Sequence, residues 1–452
     1  MKNILILCIL ILGCNKVVAK VFTVSGFISD QEISEVRLET SDSIYVNLLK
    51  NGKFTFTIPI LIEDYVYLDI GKKIPLYVKS YDNIFLDIKK NNVIKFAGKG
   101  FEESKFLYDK NLLIKKMGFD DPKMVDVALF SCEWKKFQIK IDNVKQIRLK
   151  QLYDFKRRYP NLSESFFNFE RQLIDYFGIN RFFAYPGLHE MLTRVKPKLP
   201  DDYYDFIKRI DTNKKGLFMS YEYQSAIKSL LDFKTSTFIE KYALAKRLLV
   251  DTGFFEKIMY SEFLNYVNFN GIDDIDSICV DFIQTVRNIE NKNNLQKRYD
   301  DWKTLVKGKK APDFEIKDEK GNLVHLSDFK GKYVYIDCWS SYCGPCIAEM
   351  PAIKELANKL RYKNIVLISV SVDQNRKRWL SKIKEFDIDA INLCTGGIRH
   401  NFCLAYNIRA FPRYILIDNK GFIIDATADK PSVIKEKLHA LYHEGVKTLN
   451  NR

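Results

Sequence analysis

The chain reads as a multidomain protein whose C-terminal part is an α/β fold, preceded by a small antiparallel β domain and an α-helical middle region. Three observations lead there. Apolar residues alternate with polar ones in short runs up to about residue 100, recur at helical spacing to about 307, and then gather into strand-length apolar runs separated by helical stretches. At 452 residues the chain is too long for one core, and two or three domains are expected. Its 46% hydrophobic and 14% aromatic content excludes a disordered chain. The net charge of +15 raises the question of anionic partners, but Lys and Arg lie scattered beside Asp and Glu, with no basic helix face. A solvated basic surface is the simpler account, and no nucleic-acid partner is expected.

The N-terminus points to export. Met1-Lys2-Asn3 is a short positive start, and Ile4 to Leu12 is an apolar run of signal-peptide length, far short of the ~20 residues a spanning helix needs. Ile11-Leu12-Gly13-Cys14 resembles a bacterial lipobox, with residues 1–13 as a lipoprotein signal peptide and Cys14 lipidated as the mature N-terminus. Leu12 is bulkier than the residue usual there. The competing reading is cleavage after Val17-Val18-Ala19, which releases a soluble periplasmic protein. No later stretch reaches spanning length, so attachment to the periplasmic side of the cell envelope would be through lipid.

Residues 21–100 alternate in Val21 to Val24, Ile44 to Leu48, Phe54 to Ile58, Tyr65 to Ile70 and Ile84 to Ile88, with Asn51-Gly52 as a hairpin turn. Short strands at this spacing suggest a small sandwich or barrel, and nothing in it carries obvious chemistry. Residues 101–307 show aromatic-rich helical spacing, as in Phe166 to Phe177 and Tyr203 to Ile210, interrupted by Pro122, Pro160, Pro186, Pro197 and Pro200. The aromatic stripe reads as core, with a peptide groove as the alternative. Cys132 and Cys279 are isolated among apolar residues and read as buried thiols. Asn294 to Lys310, polar and Lys-rich, reads as a linker.

Residues 308–442 alternate strand and helix signals. Tyr333 to Cys338 and Ile365 to Val372 are apolar runs fit for strands buried on both faces, and Tyr414 to Ile417 and Phe422 to Ile424 follow around an Asn419-Lys420-Gly421 turn. Helices are expected over Ile347 to Leu360, Lys377 to Phe386 and Pro431 to Tyr442. Cys343-Gly344-Pro345-Cys346 opens the first of these helices, and a CxxC opening a helix within a βαβ pattern is the signature of a thioredoxin-like fold. Zinc needs four ligands, and beyond this pair the domain offers only Cys394 and Cys403, with His400 nearby. No metal and no cofactor is expected beyond the Cys343–Cys346 redox pair.

At a helix N-terminus unpaired backbone N–H groups stabilise a thiolate, the nucleophile of disulfide exchange. A cysteine of pKa ~8.5 is about 3% thiolate at pH 7, whereas one tuned to ~7 is about half. The second thiol stands close enough to resolve the mixed disulfide formed by the first.

Four ordered motifs make the resemblance specific: Ala311-Pro312-Asp313-Phe314, Asp337-Cys338-Trp339-Ser340-Ser341-Tyr342-Cys343-Gly344-Pro345-Cys346, Glu349-Met350-Pro351, and Ala410-Phe411-Pro412-Arg413 leading into Tyr414 to Asp418. Together they resemble the TlpA/ResA branch of the thioredoxin superfamily, exported and membrane-tethered thiol-disulfide oxidoreductases. The upstream pattern is similar to large Bacteroidetes-type exported proteins that join a β domain and a helical segment to such a module. The resemblance implies Cys343 as attacking thiolate, Cys346 as resolving thiol, and Asp337 as a buried acid that takes the resolving thiol's proton. The bland alternative for Asp337 is a strand-end surface residue. Pro412 falls where the family has a cis-proline against the disulfide, and Phe411 before it is bulkier than usual and would narrow substrate choice. Glu349 matches an acid that tunes the thiols, with an ordinary helix-surface Glu as the alternative. Trp339 and Tyr342 would cover the thiols from water, and Gly344 and Pro345 between them would meet substrate. Cys338 reads as core.

The Gly-Pro pair is thioredoxin's own, and thioredoxin lies near −270 mV against roughly −120 mV for the oxidant DsbA. A reductant of disulfide-containing exported proteins is therefore expected, supplied with electrons by a membrane thiol relay of the DsbD or CcdA kind. The cysteines of apocytochrome c are a suggested acceptor, hence a role in cytochrome c maturation. A thiol peroxidase would need a Pro-x-x-x-Thr-x-x-Cys surround, and Trp-Ser-Ser-Tyr precedes Cys343 instead. A binding or assembly lipoprotein with an accessory redox end stays open, since two thirds of the chain lies outside the redox module.

Overall fold

The computed structural model describes residues 20–441 except 31, 41–42, 61–62, 91–92, 119–126 and 361–363. The expected signal peptide 1–13, Cys14, the alternative Val17-Val18-Ala19 cleavage site, Pro122 and Tyr442 lie outside the described residues. The chain divides into two compact units, 1–230 and 231–452, so the helical stretch 101–307 is shared between them. Among the described residues no helix is long and apolar enough to cross a membrane.

The first unit opens with β1 (Val21–Ile28), β2 (Glu35–Glu39), β3 (Ile44–Leu48), β4 (Lys53–Pro59), β5 (Asp64–Asp69), β6 (Lys73–Val78), β7 (Asn83–Ile88) and β8 (Ile94–Lys99). They form two four-stranded sheets, ordered β4-β1-β7-β8 and β3-β2-β5-β6. Period-two alternation turns Phe22 and Val24, Phe54 and Phe56, and Ile84 and Leu86 inward from one sheet, and Val36, Leu38, Leu68 and Leu76 inward from the other, into one core. The pairing is antiparallel except between β1 and β7, which run parallel. Between them the chain makes the whole second sheet, and so returns alongside its first strand by a long crossover rather than a hairpin. Asn51 and Gly52 do turn the chain, both with positive φ. Pairing across that turn stops at a Lys50–Lys53 bridge, however, and β3 and β4 diverge into separate sheets rather than forming the expected hairpin.

Helix α1 (Glu102–Lys116) covers the β6 edge. The Ser104 hydroxyl accepts from the Tyr77 N–H and donates to the Tyr77 carbonyl, both at 3.0 Å, so an edge strand's free backbone groups are satisfied inside the unit. The short α2 (Val127–Phe130), then α3 (Trp134–Arg158), α4 (Glu164–Thr193) and α5 (Tyr221–Lys234) follow, the unit boundary falling within α5. Two local expectations are corrected. Pro186 does not interrupt α4 but lies inside it. Its missing N–H would have bonded the Phe182 carbonyl, and the Tyr203 hydroxyl donates there instead at 2.5 Å. Tyr203 itself begins a 3-10 stretch, Tyr203–Arg209, not an α-helix.

The second unit holds α6 (Phe238–Leu248), α7 (Thr252–Asn270), α8 (Asp276–Thr285) and α9 (Ile289–Lys303). Helix α9 occupies the segment expected to be a linker. Its polar sequence hides a narrow apolar stripe, Leu295 and Trp302, seven residues apart and both buried. After it come β9 (Glu315–Asp318), β10 (Leu323–His325), β11 (Tyr333–Trp339), α10 (Gly344–Leu360), β12 (Ile365–Ser371), α11 (Arg376–Phe386), β13 (Ile391–Cys394), α12 (Asn401–Ala405), β14 (Arg413–Ile417) and β15 (Ile423–Asp425), with 435–441 helical at the end. The seven-stranded sheet runs β10-β9-β13-β12-β11-β14-β15, with β11, β12 and β13 parallel and β14 antiparallel to β11. Central β11 is buried on both faces, and its end delivers the chain to the CxxC.

Candidate active site

The thiols sit where β11 gives way to α10. Cys343 caps the helix, its carbonyl accepting from the Ile347 N–H at 3.0 Å, and it is half-buried. Cys346, one turn on, is buried in the core with Trp339, Met350 and Tyr414. The two sulfurs are joined in a disulfide, and the Cys346 N–H points at the Cys343 sulfur from 3.2 Å. When the pair is reduced, that donor and the open helix end favour negative charge on Cys343. Gly344 and Pro345 between them are exposed.

Alternation along β11 puts Tyr335, Asp337 and Trp339 on one face, and Tyr335 and Trp339 pack into the same cluster as Cys346 and α10. Asp337 therefore lies beneath the helix that carries the thiols. It is 1% exposed, and neither carboxylate oxygen completes a hydrogen bond among the described residues. Burial pushes its pKa up to about 8; the nearby Glu349 charge adds to the rise, and the Ser369 hydroxyl, opposite it on β12, works against it. The strand-end surface alternative for Asp337 is excluded by this burial. Glu349, on α10, receives the Ser432 N–H at 3.2 Å and hydroxyl at 3.1 Å and pairs with Lys430 at 3.0 Å. Burial pushes its pKa up, but Lys430 and Ser432 outweigh that and hold it below the usual range.

The Phe411–Pro412 peptide bond is cis. Pro412 immediately precedes β14, whose Arg413 pairs with Cys338, so it stands beside the end of β11. Phe411 and Cys343 are both half-buried against the same core cluster. Trp339 is buried, whereas Tyr342 is 65% exposed, with the Arg378 guanidinium 3.7 Å from its ring centre. Tyr342 is thus largely open to solvent, with its ring against the Arg378 guanidinium of α11, whereas Trp339 packs into the core with Cys346. Cys338 is fully buried and unpaired. Among the described residues no group of three or more His, Cys, Asp or Glu side chains gathers as a metal site.

A redoxin family model matches residues 306–438. The chain is 32% identical over 126 residues to the thioredoxin-like protein YneN of Bacillus subtilis, covering 27% of this chain and 71% of that protein. The chain belongs to the thioredoxin-like redoxin family. It is also 32% identical over 118 residues to the thiol-disulfide oxidoreductase ResA of Bacillus thuringiensis, covering 26% of this chain and 66% of ResA, just short of two thirds of its length. Among solved structures, the thioredoxin domain of a thiol-disulfide oxidoreductase from Bacteroides vulgatus is 29% identical, with 30% of this chain and 99% of that one covered and a TM-score of 0.29.

One residue of this redoxin site went unread in the sequence. Asp373, just past β12 and 2% exposed, accepts from the Ser340 hydroxyl at 3.0 Å, the Ser341 N–H at 3.0 Å, the Ser341 hydroxyl at 2.9 Å and the Ser371 hydroxyl at 2.7 Å. It ties down the loop that presents Cys343. The available signal was a polar Ser371-Val372-Asp373 ending on an otherwise apolar strand, matched by the Ser340-Ser341 pair at the end of β11.

Proposed function

We propose that the protein is an exported thiol-disulfide oxidoreductase that reduces disulfides in other exported proteins. One observation carries the reading: the half-buried Cys343 at a helix N-terminus, its partner Cys346 in the core behind it, and a buried carboxyl of raised pKa beneath them. The Cys343 thiolate attacks one sulfur of a substrate disulfide, forming a mixed disulfide and releasing the other sulfur as a thiolate, which takes a proton from water. Cys346 passes its proton to the Asp337 carboxylate and attacks the Cys343 sulfur. The substrate's second sulfur leaves as a thiolate and takes up a proton equivalent to the one Cys346 gave to Asp337, which restores the carboxylate. The substrate gains two electrons and two protons, and the CxxC ends oxidised, as in this structure. Pro412 and Phe411, immediately before β14 and beside the end of β11, would meet the substrate chain; Glu349 would tune the thiols through its charge, which helps to keep Asp337 protonated.

Re-reduction needs a dithiol donor, for which a membrane relay of the DsbD or CcdA type is the proposed partner. A lipid on Cys14 would hold the protein at the periplasmic face of the membrane. Apocytochrome c cysteines are a proposed acceptor, an expectation that comes from the resemblance to the TlpA/ResA branch. The test is Cys346→Ser in the exported protein. It should stall as mixed disulfides through Cys343, which mass spectrometry would identify. Recovery of no Cys343-linked protein overturns the reading, and retention of phenotype in a Cys343→Ser/Cys346→Ser double variant would favour an assembly role.

A further inference from the structure

A groove of about 820 Å³ opens beside the loop that leads into Cys343, and the charged side chains it exposes, Arg376 and Lys377, are both cationic. Ser340 and Tyr342, from the loop that ends at Cys343, form one side; the first turn of α11, with Arg376 and Lys377, forms the other. Gln374 to Arg378 are all exposed. Two of the cations at this end of α11 are held in place. Arg376 is fixed by the Glu319 carbonyl at 2.8 Å, and Arg378 lies over the ring of Tyr342, the residue just before the attacking cysteine. The N-terminus of α11, an 11-residue helix, adds its partial positive charge to the same place. The one acid lining the groove, Asp373, is buried and turned onto Ser340, Ser341 and Ser371, so it offers nothing to an incoming chain.

We propose that this groove binds an acidic stretch of polypeptide flanking the disulfide under attack, a specificity that rests on the reductase reading above. Rim charges of one sign mainly raise association rates and select among partners. The substrate class is therefore exported proteins whose target cysteines lie beside Asp or Glu.

The experiment uses the full-length protein with dithiothreitol as electron source, and every rate is taken after subtracting that of dithiothreitol alone on the same substrate. Its substrates are disulfide-bridged peptides that differ only in three flanking residues, acidic, neutral or basic. Uncharged hydroxyethyl disulfide is run in parallel. The acidic peptide should exceed the basic one in kcat/KM by roughly tenfold, and the ratio should fall toward one in about 0.5 M salt. In a Lys377→Glu/Arg378→Glu variant, the ratio taken within that variant, so that any general loss of activity cancels, should fall to one or invert. Equal wild-type rates for the acidic and basic peptides, with hydroxyethyl disulfide still reduced, overturn the groove assignment alone. An unchanged ratio in the variant overturns it too. Failure to reduce hydroxyethyl disulfide overturns the reductase reading beneath it.

Discussion

Replacing Asp337 by Asn should abolish a large pH dependence of stability that the wild-type fold carries. In an unfolded chain this carboxyl loses its proton near ~3.9; in the fold, without a completed hydrogen bond and 1% exposed, it does so only near about 8. Between those values the folded state holds a proton that the unfolded state lacks. Stability is then fully present below pH ~4 and falls as pH rises, by about 1.4 kcal/mol per unit, to a total of roughly 5–6 kcal/mol by pH 8, where it levels off. At pH 7 about 4 kcal/mol of that has been lost. Cys338 gives a local readout, since it is fully buried and adjacent on β11, and its labelling by a thiol-reactive pyridyl disulfide requires the strand to open. With the Cys343–Cys346 disulfide intact, dividing the wild-type labelling rate by that of Asp337→Asn cancels the thiol's own titration. That ratio should rise about tenfold per pH unit, hence about a hundredfold from pH 5 to 7. A ratio that stays flat across that window refutes the reasoning, because it means the carboxyl ionises as in water. The same titration bears on the proposed reaction. If Asp337 takes the Cys346 proton it can do so only as a carboxylate, so release of substrate from the mixed disulfide should accelerate as pH rises toward 8, and the Asn variant should lose the part of that rise due to Asp337.

Three further outcomes follow from the packing. Asp373→Ala strips the Ser341 N–H and three hydroxyls of their acceptor, which should cost about 3 kcal/mol in denaturant unfolding of the second unit and lower kcat/KM at least tenfold as the Cys343 loop loosens. Tyr203→Phe leaves the Phe182 carbonyl without the donor that replaces Pro186's missing N–H; hydrogen exchange along α4 around Pro186 should speed up by a factor of about 5–30, matching 1–2 kcal/mol. Arg413→Met removes the donors to the Ala426 carbonyl at 2.6 Å and the Asn268 carbonyl at 2.9 Å, and the cation over Trp302. Limited proteolysis should then cut near Asn268 to Gly271 while wild type resists.

What the sequence revealed and what it hid divide along a physical line. Patterns that encode burial were legible. The near-continuous apolar run over β11 announced a strand covered on both faces, alternation announced the β sheets, and the CxxC announced where helix α10 starts. Features set by partners remote in the chain were not. Whether Pro186 breaks a helix depends on a hydroxyl 17 residues on, and whether β1 pairs parallel depends on a strand 55 residues away. The same line runs through the site. Cys343 and Cys346 declare themselves by spacing, because their chemistry requires them one turn apart. Asp337 shows its unusual proton affinity only once α10 is laid over it, and Asp373, which holds the reactive loop in place, becomes visible only when the ends of β11 and β12 are brought side by side in parallel register. A buried acid is costly and must have a partner or a task. Asp373 has partners for both of its oxygens, whereas Asp337 completes no hydrogen bond among the described residues, and that difference fits the first to architecture and the second to the proton-accepting task proposed for it.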